Sequence, residues 1–314
     1  MQKYIFGADI GGTACKLGLF DARGTLLEKW EIPTDKSEQG TKVLPNVAAA
    51  LQKKMAEKAI AEEEVYGVGM GVPGAVNKEG FFVCPNLNWE SVNARRQMQQ
   101  LMPGMKVTAI NDANAAAFGE MWKGSGVGYR DLVMVTLGTG VGGGIISDGK
   151  IVGGAHGGGG EIGGVVVNPY ETEVCKSGPK GCLEYYASAT GLVTMTEKKL
   201  AGLTEQTVLS EVEVITAKAV FDACKSGDKV ADEIVDEFCR ILAKGLSIIT
   251  HVVDPEIYVI GGGVSKAGEL LLEKVKNAYL EIIEPCFQST KFVLASLGND
   301  AGMYGAVYSV LEAK

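Results

Sequence analysis

Apolar residues come in short bursts along the first thirty positions, and each burst is closed by turn-forming residues. YIFGADI (4–10), KLGLFD (16–21) and LLEKWEIP (26–33) have strand composition, and GGTA and ARG between them have turn chemistry. The period then lengthens. From about 45 to 63, VAAALQKKMAEKAIAEEE spaces its apolar side chains as a helix does, and the EEE run reads as that helix's solvated end. VYGVGMGVPG (65–74) predicts a strand entering a glycine–proline turn, KVTAIND (106–112) another strand, and the alanine-rich ANAAAFGEMW (113–122) a helix.

The pattern then restarts. DLVMVTLG (131–138) and GGGIISDG (142–149) repeat the strand, glycine turn and strand of the N-terminus. Helical spacing dominates from 182 to 253, with Ile234, Phe238, Ile241, Leu242, Gly245 and Ile249 on one face. EIYVIGGG (256–263) predicts a buried strand, followed by a helix, the strand KFVLASL (291–297) and a closing helix AGMYGAVYSVLE (301–312). Strands and helices in alternation predict an α/β fold. The repeated unit predicts an internal duplication, hence two related lobes with a cleft between them. We expect an N-terminal lobe over 1–112, with the closing helix (301–314) packing back on it, and a C-terminal lobe over 113–300.

The length of 314 residues fits two such lobes. Thirty basic against 38 acidic residues leave a net charge of −8, with no basic stripe, which argues against nucleic acid as a partner. An anionic ligand would have to be held by backbone amides or through a metal ion. Seven cysteines are an odd count, and Cys15, Cys84, Cys224, Cys239 and Cys286 lie in apolar stretches, the pattern of a reducing compartment. MQKYIFGADI lacks the layout of a signal peptide, and no apolar run approaches the ~18 residues a membrane span needs. The expectation is a cytoplasmic protein without a membrane partner.

Three glycine clusters follow strands: DIGGT (9–13), TLGTGVGGG (136–144) and VIGGG (259–263). Singly, each reads as chain geometry. Together they suit a cradle of backbone amides for phosphate, and neither a Walker P-loop nor a Rossmann fingerprint is present. Asp112, in INDANAAAF, stands where a strand gives way to a helix. It reads either as a helix N-cap or as a carboxylate that accepts a hydroxyl proton during phosphoryl transfer, with Asn111 beside it. EVCKSGPKGCLE (173–184) poses its own question, since two cysteines around glycine and proline suit a metal site, a redox pair or the remnant of a metal site.

DIGGTACKLGLFD, GVGMGVPGAV, NDANAAAFGE, TLGTGVGGGI, GGGGEIGG, GCLE and VIGGG occur in the order and spacing of the ROK family of sugar kinases, and the chain most resembles its bacterial glucokinases. The resemblance covers nearly the whole chain. It implies an actin/hexokinase-like (ribonuclease H-like) fold of two lobes with a central cleft, ATP and Mg²⁺ as cofactors, a hexose as substrate, and a homodimer. Matched by position, Asp112 is the catalytic base and Asn111 its sugar-binding neighbour. Glu161 and Glu184 accept hydrogen bonds from sugar hydroxyls, with Gly74 and His156 also on the sugar side. Gly11, Gly12 and Thr13, then Gly138, Thr139 and Gly140, form the phosphate loops. Gly261, Gly262 and Gly263 flank the adenosine, and Asp9 lies near the metal–phosphate end.

The family also contains sugar-sensing repressors with an added helix-turn-helix domain. A first strand near residue 4 leaves no room for one here, so the enzyme reading is preferred. Fructose, mannose or N-acetylmannosamine stand as alternative acceptors to glucose. Many members hold a structural zinc with the histidine of GExGH and three cysteines of CxCGxxGC. Here Gly164 occupies the histidine position and Ser177 replaces the middle cysteine, so only Cys175 and Cys182 remain, against the four ligands a structural zinc uses. The expectation is a degraded zinc site without metal, its loop shaped by Gly178, Pro179 and Gly181, with His156 as the one candidate replacement ligand. Loss of that histidine also removes a sugar contact and widens the pocket.

Overall fold

The structure, a computed structural model, describes residues 2–77, 79–84, 87–175 and 178–313. Strands β1 (Tyr4–Ile10), β2 (Ala14–Asp21) and β3 (Leu26–Pro33) form an antiparallel meander. Every second residue of β3 is exposed, as expected of an edge strand with one wet face. Helix α1 (Val43–Glu57) follows, then β4 (Val65–Val72), buried along nearly its whole length. The acidic run is not the end of α1. The helix stops at Glu57, Ala59 takes a left-handed conformation (φ 52°), and Glu62–Glu64 form a separate 3-10 turn leading into β4.

A small hairpin of β5 (Phe81–Cys84) and β6 (Trp89–Asn93), then α2 (Ala94–Leu101), separate β4 from β7 (Lys106–Asn111). The sequence pattern did not signal this hairpin, whose strands are too short for a clear period. It is seated by Trp89, whose indole N–H donates to the Gly40 carbonyl at 3.0 Å. β1, β4 and β7 run parallel, giving the sheet order β3-β2-β1-β4-β7.

Helix α3 (Asp112–Lys123) leads to β8 (Leu132–Leu137), β9 (Val141–Ser147) and β10 (Lys150–Ile151). Helices α4 (Leu183–Ala187), α5 (Ala189–Ala201), α6 (Ala217–Lys225) and α7 (Lys229–Val253) come next. The chain ends with β11 (Ile257–Gly261), α8 (Glu269–Leu280), β12 (Lys291–Leu294) and α9 (Ala301–Glu312). The second five-stranded sheet, β10-β9-β8-β11-β12, repeats the order of the first, with β11 parallel to β8 and β12. α7 is N-capped by Asp228, which accepts from the Ala231 amide at 2.9 Å. It buries Ile234, Phe238, Leu242, Gly245 and Ile249, while Ile241 is only half-buried.

The chain divides into two compact units: 1–128 with 144–160 and 296–314, and 129–143 with 161–295. This differs from a boundary at residue 112. The reason lies in α3 and α9, whose backbones touch. A Cβ on Gly305 would lie 1.6 Å from the Ala115 carbonyl oxygen, and one on Gly119 would lie 2.2 Å from that of Ala301. α3 is thereby tied to α9, and α9 to β1 and β4, where Met303, Val307 and Val310 cover Ile5 and Phe20. The opposite face of that sheet packs Phe6, Leu17, Val68 and Met70 against Leu44 and Leu51 of α1.

One buried charge serves this packing. Glu120 of α3 is fully buried and accepts four hydrogen bonds, from the amides of Ser125 (2.8 Å), Ser296 (3.2 Å) and Leu297 (2.8 Å) and from the Ser296 hydroxyl (3.3 Å). Its partners lie beside the point where the chain first leaves this unit and the point where it last returns to it. Cys15, Cys84, Cys224 and Cys239 are buried free thiols, but Cys286, expected in apolar surroundings, is exposed in the 3-10 turn Pro285–Phe287.

Candidate active site

The glycine clusters of both sheets, and in the first sheet Asp9 and Asp112, stand at the carboxyl ends of parallel strands, the edge at which open α/β sheets bind ligands. In the first unit, β7 ends at Asn111 and α3 opens at Asp112. The cap of α3 is Asn111, not Asp112: the Asn111 Oδ1 accepts from the Asn114 amide at 3.0 Å. Its Nδ2 donates to the Gly74 carbonyl at 3.1 Å. Asn111 thus works as a tie between α3 and the turn after β4. Asp112, relieved of capping, accepts only from the adjacent Ala113 amide at 2.8 Å and pairs with no cation among the described residues. Its residue surface is exposed, yet the protein around the carboxyl desolvates it and raises its pKa above the usual carboxylate value.

Asp9, at the end of β1, stands in register with Gly71 of β4. A Cβ on Gly71 would lie 3.8 Å from both the Asp9 Oδ1 and the Asp112 Cα, so the missing side chain keeps the space between the two acids open. Burial first, and the Asp112 charge after it, push the pKa of Asp9 up to about 6, opposed by Lys16, whose ammonium is 3.9 Å away. Burial thus acts against the charged form of both carboxyls.

The turn after β1 is braced by Thr34, which no motif singles out. Its hydroxyl donates to the Gly11 carbonyl at 2.7 Å and its amide to the Thr13 carbonyl at 2.9 Å. The amides of Gly12 and Thr13 have no partner among the described residues. The Lys36 ammonium stands over this turn, 3.8 Å from where a Gly12 Cβ would be. Unpaired amides, a lysine and two desolvated carboxyls fit a phosphate chain carrying a hard divalent cation.

The second unit repeats the arrangement. Gly138, Thr139 and Gly140 turn between β8 and β9, with the Gly138 amide donating to the Gly140 carbonyl at 3.0 Å. Glu184, in the first turn of α4, reaches this turn: its Oε2 accepts from the Val141 amide at 2.9 Å. A Cβ at Gly140 would lie 2.2 Å from that oxygen, so a side chain there would displace the Glu184 carboxylate. The Thr139 and Gly140 amides have no partner among the described residues.

Gly261 ends β11, and Gly262 and Gly263 open beside a pocket of about 160 Å³. Its lining includes the apolar Phe221 and Val264 and the charged Lys218, Asp222, Lys225 and Lys266. Helix α6 carries no motif, so nothing in the sequence marked these residues.

Glu161 is exposed at the start of the 3-10 turn Ile162–Gly164, and a Cβ on Gly164 would meet nothing within 4 Å among the described residues. His156 is exposed in the first unit. Cys175 and Cys182 are both buried free thiols. Burial and the hydrogen-bonded Cys175 thiol push the pKa of Cys182 up to about 11. Ser177 lies outside the described residues. Among those described, no group of three or more His, Cys, Asp or Glu is arranged to hold a metal ion.

The loop from 165 to 182 has other fastenings. The Tyr186 hydroxyl donates to Glu171 at 2.6 Å, Tyr185 donates to Glu173, and Lys198 pairs with Glu173 at 2.7 Å. Gly181, at φ +70°, packs so tightly that a Cβ would lie 1.8 Å from the Asn168 carbonyl oxygen.

With this geometry in place, comparison with known proteins gives a consistent picture. The sequence profile of the ROK family matches residues 5–313. A protein named glucokinase from Halalkalibacterium halodurans is 36% identical over 99% of this chain and 96% of its own length. An N-acetylgalactosamine kinase from a Shewanella species is 31% identical over 96% of this chain and 94% of its own length. The crystal structure of a ROK family glucokinase from Streptomyces griseus, in complex with glucose and AMPPNP, superposes with a TM-score of 0.77 at 32% identity, covering 99% of this chain and all of that one. The fold is the actin/hexokinase-like fold of ROK sugar kinases.

Proposed function

The chain belongs to the ROK family and is an ATP-dependent sugar kinase, and on that premise we propose that it phosphorylates glucose at the 6-hydroxyl with Asp112 as general base. One observation carries this reading: two desolvated carboxyls, Asp9 and Asp112, at the same sheet edge as the unpaired amides of the turn after β1.

Asp112 receives the proton of the acceptor hydroxyl as its oxygen attacks the terminal phosphorus. Desolvation makes its carboxylate a stronger base than a solvated aspartate, which favours that transfer. Asn111 fixes where Asp112 stands, because both ends of its amide are tied to the fold. Asp9 supplies oxygen ligands of the kind Mg²⁺ takes, and the bound ion would neutralise charge on the phosphates. In the first unit the amides of Gly12 and Thr13, with Lys36, are suited to phosphate; in the second, taken by itself, the amides of Thr139 and Gly140 are suited to phosphate and the pocket lined by Phe221, Val264 and Gly263 to a base.

Glu161 and Glu184 are assigned to the sugar by their positions in the family pattern, and Gly74 and His156 are further candidates for it. A second reading, an N-acetylated hexosamine, is favoured by the open space at Gly164 and by the 31% identical N-acetylgalactosamine kinase.

A coupled ATP-consumption assay with glucose, mannose, fructose, N-acetylmannosamine and N-acetylgalactosamine separates the two, and glucose should give the highest kcat/KM. A tenfold preference for an N-acetylated sugar would establish the second reading. In the same assay Glu161→Gln should raise the sugar KM about 10- to 100-fold, the value of a hydrogen bond to a charged group, and leave the ATP KM within about twofold. Equal damage to both constants would mean a disordered loop. Elemental analysis of protein purified without chelator should find well under one zinc per chain, since Cys175 and Cys182 are half of a four-ligand set. One zinc per chain would show that the site survives with another ligand.

A further inference from the structure

We infer that residues 184–190, spanning α4 and the start of α5, are the frame that positions the second glycine turn, and that Thr190 and Glu184 set nucleotide affinity through it. This rests on the kinase reading above. The Thr139 and Gly140 amides can serve a phosphate only if they are held pointing outward, and a turn with glycine at two of three positions does not hold itself. A peptide unit is planar, so fixing the carbonyl of one residue fixes the N–H of the next, which points the opposite way.

Both relevant carbonyls are fixed from behind. The Ala189 amide donates to the Gly138 carbonyl at 2.7 Å, which sets the direction of the Thr139 N–H. The Thr190 hydroxyl donates to the Thr139 carbonyl at 2.9 Å, which sets the Gly140 N–H. Glu184 completes the frame by holding the Val141 amide. The two amides left unpartnered are thus the two whose peptide planes are pinned at the other end.

The frame is rigid for local reasons. Ser188 caps α5 by accepting from the Gly191 amide at 3.0 Å, which places Ala189 and Thr190 in the helix's first turn. The first amides of a helix have no partner inside it, so the Ala189 N–H is available for the turn. The first sheet uses the same device independently: the Thr34 hydroxyl holds the Gly11 carbonyl and so sets the Gly12 N–H. A threonine hydroxyl donating to a carbonyl of the turn (Gly11 in the first, Thr139 in the second) recurs at both turns, on elements with unrelated sequences. Thr190 is exposed, so its hydroxyl is not needed for core packing.

The test uses the full chain with Thr190→Val, which keeps the shape and removes the hydroxyl, and Thr190→Ser, which keeps the hydroxyl. Calorimetric Kd for a non-hydrolysable ATP analogue, and the ATP KM, should rise about 5- to 10-fold in T190V, with the sugar KM within about twofold, and return towards wild type in T190S. Glu184→Gln retains an acceptor for the Val141 amide and should leave the ATP KM nearly unchanged while raising the sugar KM. Glu184→Ala should raise both. Wild-type analogue affinity in T190V, or T190S as weak as T190V, overturns the inference. Amide hydrogen exchange over residues 137–141 reads the frame without nucleotide: faster exchange in T190V than in T190S supports it, and equal exchange refutes it. Absence of analogue binding by the wild type would instead refute the kinase reading.

Discussion

Replacing Asp112 by asparagine should lower kcat about 10²- to 10⁴-fold, a loss of roughly 3–5.5 kcal/mol in transition-state stabilisation, while the protein stays folded. The substitution is close to isosteric, and the asparagine oxygen can still accept from the Ala113 amide. The cap of α3 is untouched, because it belongs to Asn111. What disappears is the group that takes the hydroxyl proton. A variant that turns over at the wild-type rate would remove Asp112 from the chemistry.

The pH profile of the unaltered enzyme gives an independent check. A general base works deprotonated, and burial raises the pKa of Asp112, so activity should be lost as pH falls through a value above the ordinary carboxylate range. Asp9, pushed up to about 6, should contribute to the same acid limb of kcat/KM. An acid limb at the pKa of a free aspartate would contradict the desolvated site.

Glu120→Ala should destabilise the fold by about 3 kcal/mol or more and lower Tm by roughly 5–10 °C, because three backbone amides and a hydroxyl lose together the acceptor that this buried side chain gives them. Glu120→Gln should recover only part of the loss, since its NH₂ end would face donors. Thermal unfolding followed by circular dichroism measures both. Wild-type melting of the alanine variant would show that water replaces the carboxylate at little cost.

The sites of these two predictions were unequally visible in the sequence. Asp112 was legible because the signal is local: a strand pattern ends, an alanine-rich helix begins, and an acid stands at the junction. The glycine turns were legible for the same reason. Glu120 was not, since it reads as one more polar residue in a helix and its partners at Ser296 lie 176 residues away. Thr34 and Thr190 were hidden likewise, meeting their glycine turns across 23 and 51 residues. The cysteine loop divides along this line too. Counting ligands along the chain raised doubt about zinc, but the contacts of Glu171 and Glu173 with two tyrosines belong to the folded loop.

The sequence by itself determined the α/β class, the repeated strand–turn–strand unit, the two glycine turns and the acid between β7 and α3. All of these rest on residue spacing and backbone preference, which act over a few neighbouring positions. Only the tertiary structure decided that α3 stays with the first unit, that Asn111 and not Asp112 caps it, and that Glu184 reaches the second glycine turn. It also decided which side chains fix the direction of the unpaired amides. Those outcomes depend on which distant segments share a packed surface, and a pattern of hydrophobic periods states that a face is buried without stating what buries it.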